Sequence, residues 1–153
     1  MKSALLTILV FTPACTAPAA REVSTPAPNP GAGLARSSTV HHEAKGALGP
    51  YSALVEAGEL VFVAGRIGDV RGDFENEVAT TIFAVEVELA RANLTLADVV
   101  QATCYLTDME LYARFNAVYG ERVPKPWPAR AVVGVSALPA GAHVEIAVVA
   151  RGR

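Results

Sequence analysis

Several features that mark common protein classes are scarce in this chain of 153 residues. It has no cluster of lysine or arginine, and its formal net charge is −2, which argues against phosphate-backbone binding as its main task. It has two cysteines, Cys15 and Cys104, and if Cys15 carries a lipid then no internal disulfide is possible. The apolar run at residues 4–11 is too short to cross a bilayer as a helix.

Apolar residues, by contrast, are abundant. Hydrophobic residues make up 52% of the chain and charged residues 18%, which is rich for a soluble monomer and predicts buried subunit interfaces. The length allows one domain together with an additional segment.

The N terminus has the pattern of an export signal. Lys2 precedes the apolar run, and Ala14-Cys15 follows it closely. A small residue directly before a cysteine resembles a bacterial lipoprotein cleavage site, with Cys15 as the lipidation site. The predicted segments are a leader (1–15), a Pro/Ala-rich disordered tether (16–39) and a folded domain (40–153).

This interpretation places the protein in the periplasm, or anchors it to the membrane through Cys15. Two alternatives stay open. One is ordinary secretory cleavage near residues 17–19, and the other is a misassigned gene start, which would leave the protein in the cytoplasm.

Hydrophobic periodicity in the folded domain predicts an α+β architecture. Two segments have apolar residues at helical spacing, and five are short apolar or alternating segments of the kind that form strands. The predicted order is strand, strand, helix, strand, helix, strand, strand, at residues 51–56, 59–67, 75–93, 99–107, 110–121, 129–135 and 142–150. We expect a mixed sheet with both helices on one face and a closing hairpin through residues 138–141. The opposite apolar face would be covered by closed oligomerisation.

Two charged residues lie in the apolar last strands, Arg130 in one and Glu145 in the next. Charges are rarely buried unless they are paired or used. A guanidinium can clamp a carboxylate ligand, and a carboxylate can hold a water or move a proton, so the two suggest a pocket for a small organic acid. The alternatives are an ion pair between them and a weak metal pair formed by His143 and Glu145. Cys104, on the apolar face of its strand, is predicted to be a buried hydrophobic residue.

Seven short motifs then occur in a specific order between about residues 47 and 150. They are Gly49-Pro50-Tyr51-Ser52, Leu60-Val61-Phe62-Val63-Ala64-Gly65, Ala97-Asp98-Val99-Val100, Tyr105-Leu106-Thr107-Asp108, Phe115-Asn116-Ala117-Val118-Tyr119, Pro128-Ala129-Arg130 and Val144-Glu145-Ile146. In this order and spacing they resemble the RidA (YjgF/YER057c/UK114) family.

The resemblance implies a chorismate-mutase-like fold and a homotrimer with pockets at the subunit clefts. It also implies hydrolytic deamination of reactive 2-enamine and 2-imino acids to 2-keto acids and ammonia, without metal or cofactor. The implied partners are a small 2-imino or 2-keto acid and further copies of the chain, not nucleic acid. The alternatives are a non-catalytic trimeric binding module for small carboxylates and, disfavoured by the acidic balance, a ribonuclease.

Five residues acquire roles by position in this resemblance, and Arg66 is added to the predicted substrate-binding residues although it departs from the family pattern. Arg130 matches the arginine that binds the substrate carboxylate, and Glu145 matches the acidic residue that holds the attacking water. The remaining predicted substrate-binding residues are Tyr51, Gly65, Arg66 and Asn116.

The chain also departs from the family pattern. The usual Ser-Gly-Gln is Ala64-Gly65-Arg66, which removes a pocket hydroxyl and adds a cation that either favours diacids or forms a salt bridge. A frequent cysteine is replaced by Val132, and a second glutamate in the last strand is replaced by Ala147. These departures bear on the identity of the substrate.

Overall fold

A computed structural model describes residues 38–152 of the chain. The predicted leader, the lipidation site at Cys15 and all but two residues of the predicted tether lie outside this range, and they stay predictions. Within the described range, no helix combines the length and the apolar character needed to traverse a bilayer.

The described residues form a six-stranded sheet and two α-helices. The predicted strands and helices are confirmed, with every end within two residues of its predicted position. The elements are β1 (Thr39–Glu43), β2 (Ser52–Ala57), β3 (Leu60–Arg66), α1 (Phe74–Arg91), β4 (Val99–Leu106), α2 (Tyr112–Arg122), β5 (Ala129–Gly134) and β6 (Val144–Arg151), with short 3-10 turns at Leu96–Asp98, Met109–Leu111 and Pro139–Gly141.

The first strand, β1, is one that sequence patterning missed. It pairs antiparallel with β2 at the edge of the sheet and is largely exposed, so it carries no alternation of apolar and polar residues. Polar contacts hold it instead. His41 Nδ1 lies 3.1 Å from Ser52 Oγ, and His42 Nε2 lies 2.6 Å from Glu56 Oε1.

The strand order is β1-β2-β3-β6-β4-β5, which corrects the predicted closing hairpin. β5 pairs parallel with β4 after a crossover through α2, and β6 enters between β3 and β4, antiparallel to both. The prediction was wrong because consecutive strands usually pair, whereas β6 is apolar on both faces, as is typical of a central strand.

Both helices cover one face of the sheet, as predicted. On β6, alternate residues from Val144 to Ala150 are buried beneath them. On α1 the four apolar residues at helical spacing all enter the same core: Val78, Ile82, Val85 and Leu89. The helix begins after Asp73, whose side chain accepts the Asn76 N–H, and Asn93 adopts a left-handed conformation just beyond its end.

The other face of the sheet is open in the single chain. Its large apolar residues, among them Leu60, Phe62, Val100 and Val133, are more than 40% exposed. An exposed apolar sheet face of this kind is typical of a subunit interface, which agrees with the predicted oligomerisation.

Candidate active site

Arg130 lies on the edge strand β5 and points toward α2. Its Nη2 donates to Asn116 Oδ1 at 2.7 Å. The guanidinium carbon lies 4.5 Å from the centre of the Tyr119 ring and 5.5 Å from that of Phe115. One hydrogen bond and two aromatic faces therefore orient the guanidinium, and its other N–H groups have no protein acceptor among the described residues.

A cavity of about 390 Å³ opens beside this arginine, lined by Asn116, Tyr119, Gly120, Trp127, Pro128 and Arg130. Burial is the main cause that raises the pKa of Tyr119 to about 12, while the positive charge of Arg130 opposes it. The Tyr119 hydroxyl is therefore protonated at neutral pH and can donate a hydrogen bond, but it cannot serve as a base.

Glu145 lines a second cavity, of about 200 Å³, with Leu48, Tyr51, Ala64, Gly65, Ile67 and Pro139. The carboxylate and the Tyr51 phenol are the polar side chains in this mainly apolar lining. No donor among residues 38–152 bonds the Glu145 carboxylate, so both of its oxygens can accept hydrogen bonds from a water or a ligand.

Gly65 makes the position of Glu145 possible. A Cβ at residue 65 would lie 2.7 Å from Glu145 Cδ and would collide with Oε1. The three nearest atoms to that Cβ all belong to Glu145. The absence of a side chain at Gly65 therefore lets the carboxylate pack directly on the backbone of β3.

The two cavities lie on opposite faces of the sheet. Arg130 pairs in register with Ala102, which is buried beneath the helices, so the Arg130 side chain projects from the sheet face that carries the helices. Glu145 stands between the buried residues Val144 and Ile146, so its side chain projects from the opposite, open face of the sheet. The two residues therefore do not form the ion pair that was one alternative reading, and within one chain they do not converge on a common ligand.

Arg66 lines neither cavity. Its Nη2 lies 3.5 Å from Glu88 Oε1 on α1, and Arg91 Nη1 lies 2.6 Å from the other oxygen of the same carboxylate. Arg66 Nε is buried and has no hydrogen-bond partner among the described residues. The structure therefore places Arg66 in a salt-bridge cluster with α1, apart from Tyr51, Gly65 and Glu145.

His143 is engaged with a different carboxylate. Glu77 on α1 is 2% exposed and accepts the His143 N–H at 2.6 Å and the Val144 N–H at 3.2 Å. His143 Nδ1 lies 2.8 Å from the same carboxylate. Among the described residues, no three His, Cys, Asp or Glu side chains converge as metal ligands.

Cys104 is fully buried, as predicted. Desolvation raises the pKa of its thiol to about 12, so it stays protonated and is a poor nucleophile.

Two residues were missed from the sequence: Glu77, which binds the backbone at the start of β6, and Trp127, which lines the cavity beside Arg130. Glu77 is one charged residue within an amphipathic helix, and its contact with the start of β6 is 66 positions distant in the chain. Trp127 follows Pro126 in a proline-rich loop, where an aromatic residue has no periodic signal. Its status as the chain's single tryptophan was the available cue.

The protein is a small α+β domain, with a mixed sheet and two helices on one face of it. Two separate cavities border the sheet, one with a guanidinium and one with a carboxylate. Residues 41–151 match the model of the family described as endoribonuclease L-PSP. The chain therefore belongs to this family, which is the RidA/YjgF family that its motifs resemble.

Relatives and solved structures agree with this assignment. A RutC family protein of Pyrococcus horikoshii is 36% identical over 110 residues, which cover 67% of this chain and 87% of that protein. RidA of an Antarctic Psychrobacter superposes with a TM-score of 0.66 at 32% identity, covering 69% of this chain and 90% of that one.

A further relative is TdcF of Escherichia coli, which bears the name "putative reactive intermediate deaminase". It is 29% identical over 116 residues, which cover 70% of this chain and 90% of TdcF. A crystal structure of TdcF with bound serine superposes with a TM-score of 0.66 at 28% identity, covering 71% of this chain and 92% of that one.

Proposed function

We propose that this protein hydrolyses reactive 2-enamine and 2-imino acids to 2-keto acids and ammonia, at sites shared between copies of the chain in a homotrimer. The observation that carries this proposal is the separation of Arg130 and Glu145. Each lines an open cavity with polar groups free for a ligand, but the two point from opposite faces of one sheet. Arg130 of one copy and Glu145 of its neighbour can meet across a cleft.

The name of TdcF and its bound serine support the substrate class. Serine carries a carboxylate on the carbon that bears its nitrogen, and a 2-imino acid has the same arrangement. A planar guanidinium suits this carboxylate because it can donate two parallel hydrogen bonds. Asn116 already fixes the plane of the Arg130 guanidinium through the 2.7 Å hydrogen bond.

The proposed reaction needs a placed water and one group that moves protons. Water adds to C2 of the protonated imine while one of its protons passes to Glu145, which gives a carbinolamine. Glu145 returns that proton to the nitrogen, and the C–N bond breaks as the oxygen lone pair forms the ketone. The remaining hydroxyl proton is released and taken up by the departing ammonia, so 2-keto acid and ammonium are the products. An enamine enters this sequence after tautomerisation to the imine.

The test measures hydrolysis of 2-iminopropanoate, generated in place by an amino-acid oxidase. We expect the wild type to accelerate its loss, and Arg130→Ala and Glu145→Gln each to lose most of that acceleration. A wild type that binds pyruvate in calorimetry but accelerates nothing would support the non-catalytic binding module instead. Equal activity in the wild type and Arg130→Ala would refute the proposed role of the arginine.

A subunit-mixing experiment tests the shared site. Arg130→Ala and Glu145→Gln chains are unfolded, mixed and refolded together, with each variant refolded alone as the control. Random assembly gives roughly a quarter of the clefts both intact residues, so activity should return in the mixture only. A mixture as inactive as the separate variants would refute the shared site.

A further inference from the structure

Trp127 is an exposed apolar residue beside a cationic anchor. The indole is 56% exposed, although large aromatic side chains usually bury most of their surface. It lines the same cavity as Arg130, together with Pro128 and Gly120. A carboxylate-binding group and an apolar wall within one cavity match a ligand with an acid at one end and an apolar group at the other.

The indole is held in place rather than free to turn. Its Nε1 donates to the Val123 carbonyl at 3.2 Å. Lys125 Nζ lies over the ring, 4.8 Å from its centre. Because the indole N–H is satisfied and Lys125 lies over one face of the ring, Trp127 is held in place, and its exposed surface is a preformed apolar wall of the cavity. Little further ordering of the ring is then needed when a ligand binds.

Gly120 keeps the space between α2 and this ring open. A Cβ at Gly120 would lie 4.0 Å from Trp127 Cζ2, an ordinary contact distance, with no nearer obstacle. A longer side chain at residue 120 would therefore extend into the cavity without straining the helix. The space next to Trp127 is unfilled because this helix residue has no side chain.

We infer that Trp127 and Gly120 form a side-chain subsite that directs the protein toward 2-imino acids with a large apolar side chain, branched aliphatic or aromatic. This inference rests on the proposed function and specifies its substrate class. Arg130 binds the carboxylate of the ligand, and the ligand's side chain packs on the indole. A 2-iminopropanoate carries only a methyl group, so it leaves the ring uncovered.

Kinetics with two substrates test the subsite. The full chain is assayed with 2-iminopropanoate and with the imine of leucine, both generated by an amino-acid oxidase. We expect Trp127→Ala to lower kcat/KM for the leucine imine about tenfold or more, mainly through KM, and to change it less than about twofold for 2-iminopropanoate. Gly120→Leu should also lower kcat/KM for the leucine imine more than for 2-iminopropanoate. Trp127→Phe should keep part of the activity on the leucine imine that Trp127→Ala loses. Phe83→Ala removes an exposed aromatic residue of α1 outside the cavity and serves as the control.

Binding provides a readout that does not depend on turnover. Because Trp127 is the single tryptophan, the fluorescence of the protein reports directly on whether a ligand packs against the indole. The product analogue 4-methyl-2-oxopentanoate should shift this emission to the blue and bind more tightly than pyruvate, and Arg130→Ala should abolish both effects.

The outcomes separate the two proposals. Absence of hydrolysis with either imine would refute the proposed function, while the fluorescence preference would still decide the subsite. Equal losses for both imines in Trp127→Ala, or equal binding of both keto acids without a spectral shift, would overturn the subsite even if the wild type is active.

Discussion

Replacement of Gly65 by alanine is expected to disable the site through a displacement of Glu145. The new Cβ would lie 2.7 Å from Glu145 Cδ and 3.1 Å from Cγ. Carbon atoms prefer a separation of about 3.5–4.0 Å, so the carboxylate must retreat by about 1 Å. A misplacement of about this size costs on the order of a hundredfold in rate. Because Arg130 is untouched, kcat should fall about a hundredfold while KM changes little.

The assay combines steady-state kinetics on 2-iminopropanoate with urea denaturation. Overpacking should also lower the free energy of unfolding by about 1–3 kcal/mol. Gly152→Ala is the matched control, since its Cβ would meet its nearest neighbour, Glu59 O, at 3.5 Å. That variant should retain both activity and stability.

A double-mutant cycle decides whether the effect passes through Glu145. In a Glu145→Ala background the clash disappears, so adding Gly65→Ala should cost little further stability. If Gly65→Ala destabilises both backgrounds equally, or leaves kcat near the wild-type value, the reasoning from the Gly65–Glu145 contact is refuted.

Three further predictions concern single residues. Glu77→Ala should lower the free energy of unfolding by about 2–5 kcal/mol, because two backbone N–H groups lose their acceptor, whereas Glu77→Gln should cost less. Urea titrations at equal protomer concentration measure this difference, and a loss below about 1 kcal/mol in Glu77→Ala would contradict the prediction. Cys104 should resist iodoacetamide in the folded protein and react on unfolding, and rapid alkylation of the folded protein would count against this. Because burial raises the pKa of its thiol to about 12, the free energy of unfolding should be constant below the ordinary thiol pKa of about 8.5 and should fall as the pH rises from there toward 12. Arg130→Lys should raise KM about tenfold despite the retained charge, because an ammonium lacks the planar fork and its stacking on Tyr119; an unchanged KM would show that charge alone suffices.

Local patterns predicted most of the fold. The spacing of Val78, Ile82, Val85 and Leu89 placed α1, because a helix repeats its buried face every three to four residues whatever its neighbours are. The short apolar run at residues 142–150 likewise placed β6. β1 was missed because an exposed edge strand buries no apolar side and is specified by its pairing with β2.

The candidate site was predicted residue by residue, but its arrangement was not. Tyr51, Gly65 and Glu145 do line one cavity, and Asn116 and Arg130 line another. The assignments themselves stay predictions until activity is measured. Arg66 illustrates the difficulty, since its adjacency to Gly65 in the chain says nothing about the salt bridge to Glu88 that turns it toward α1.

The sequence by itself determined the two helices with their apolar faces, every strand except β1, the family and the charged residues of the candidate site, because these depend on local periodicity and on ordered motifs. Only the tertiary structure decided that β6 lies between β3 and β4 and that Arg130 and Glu145 leave opposite faces. The physical reason is that strand pairing joins residues far apart in the sequence. The sheet face that a side chain occupies depends on the register of its strand as well as on the position of the residue along that strand. The same pairing leaves the chain with two separate cavities, one beside Arg130 and one beside Glu145, and Trp127 lines the first of them.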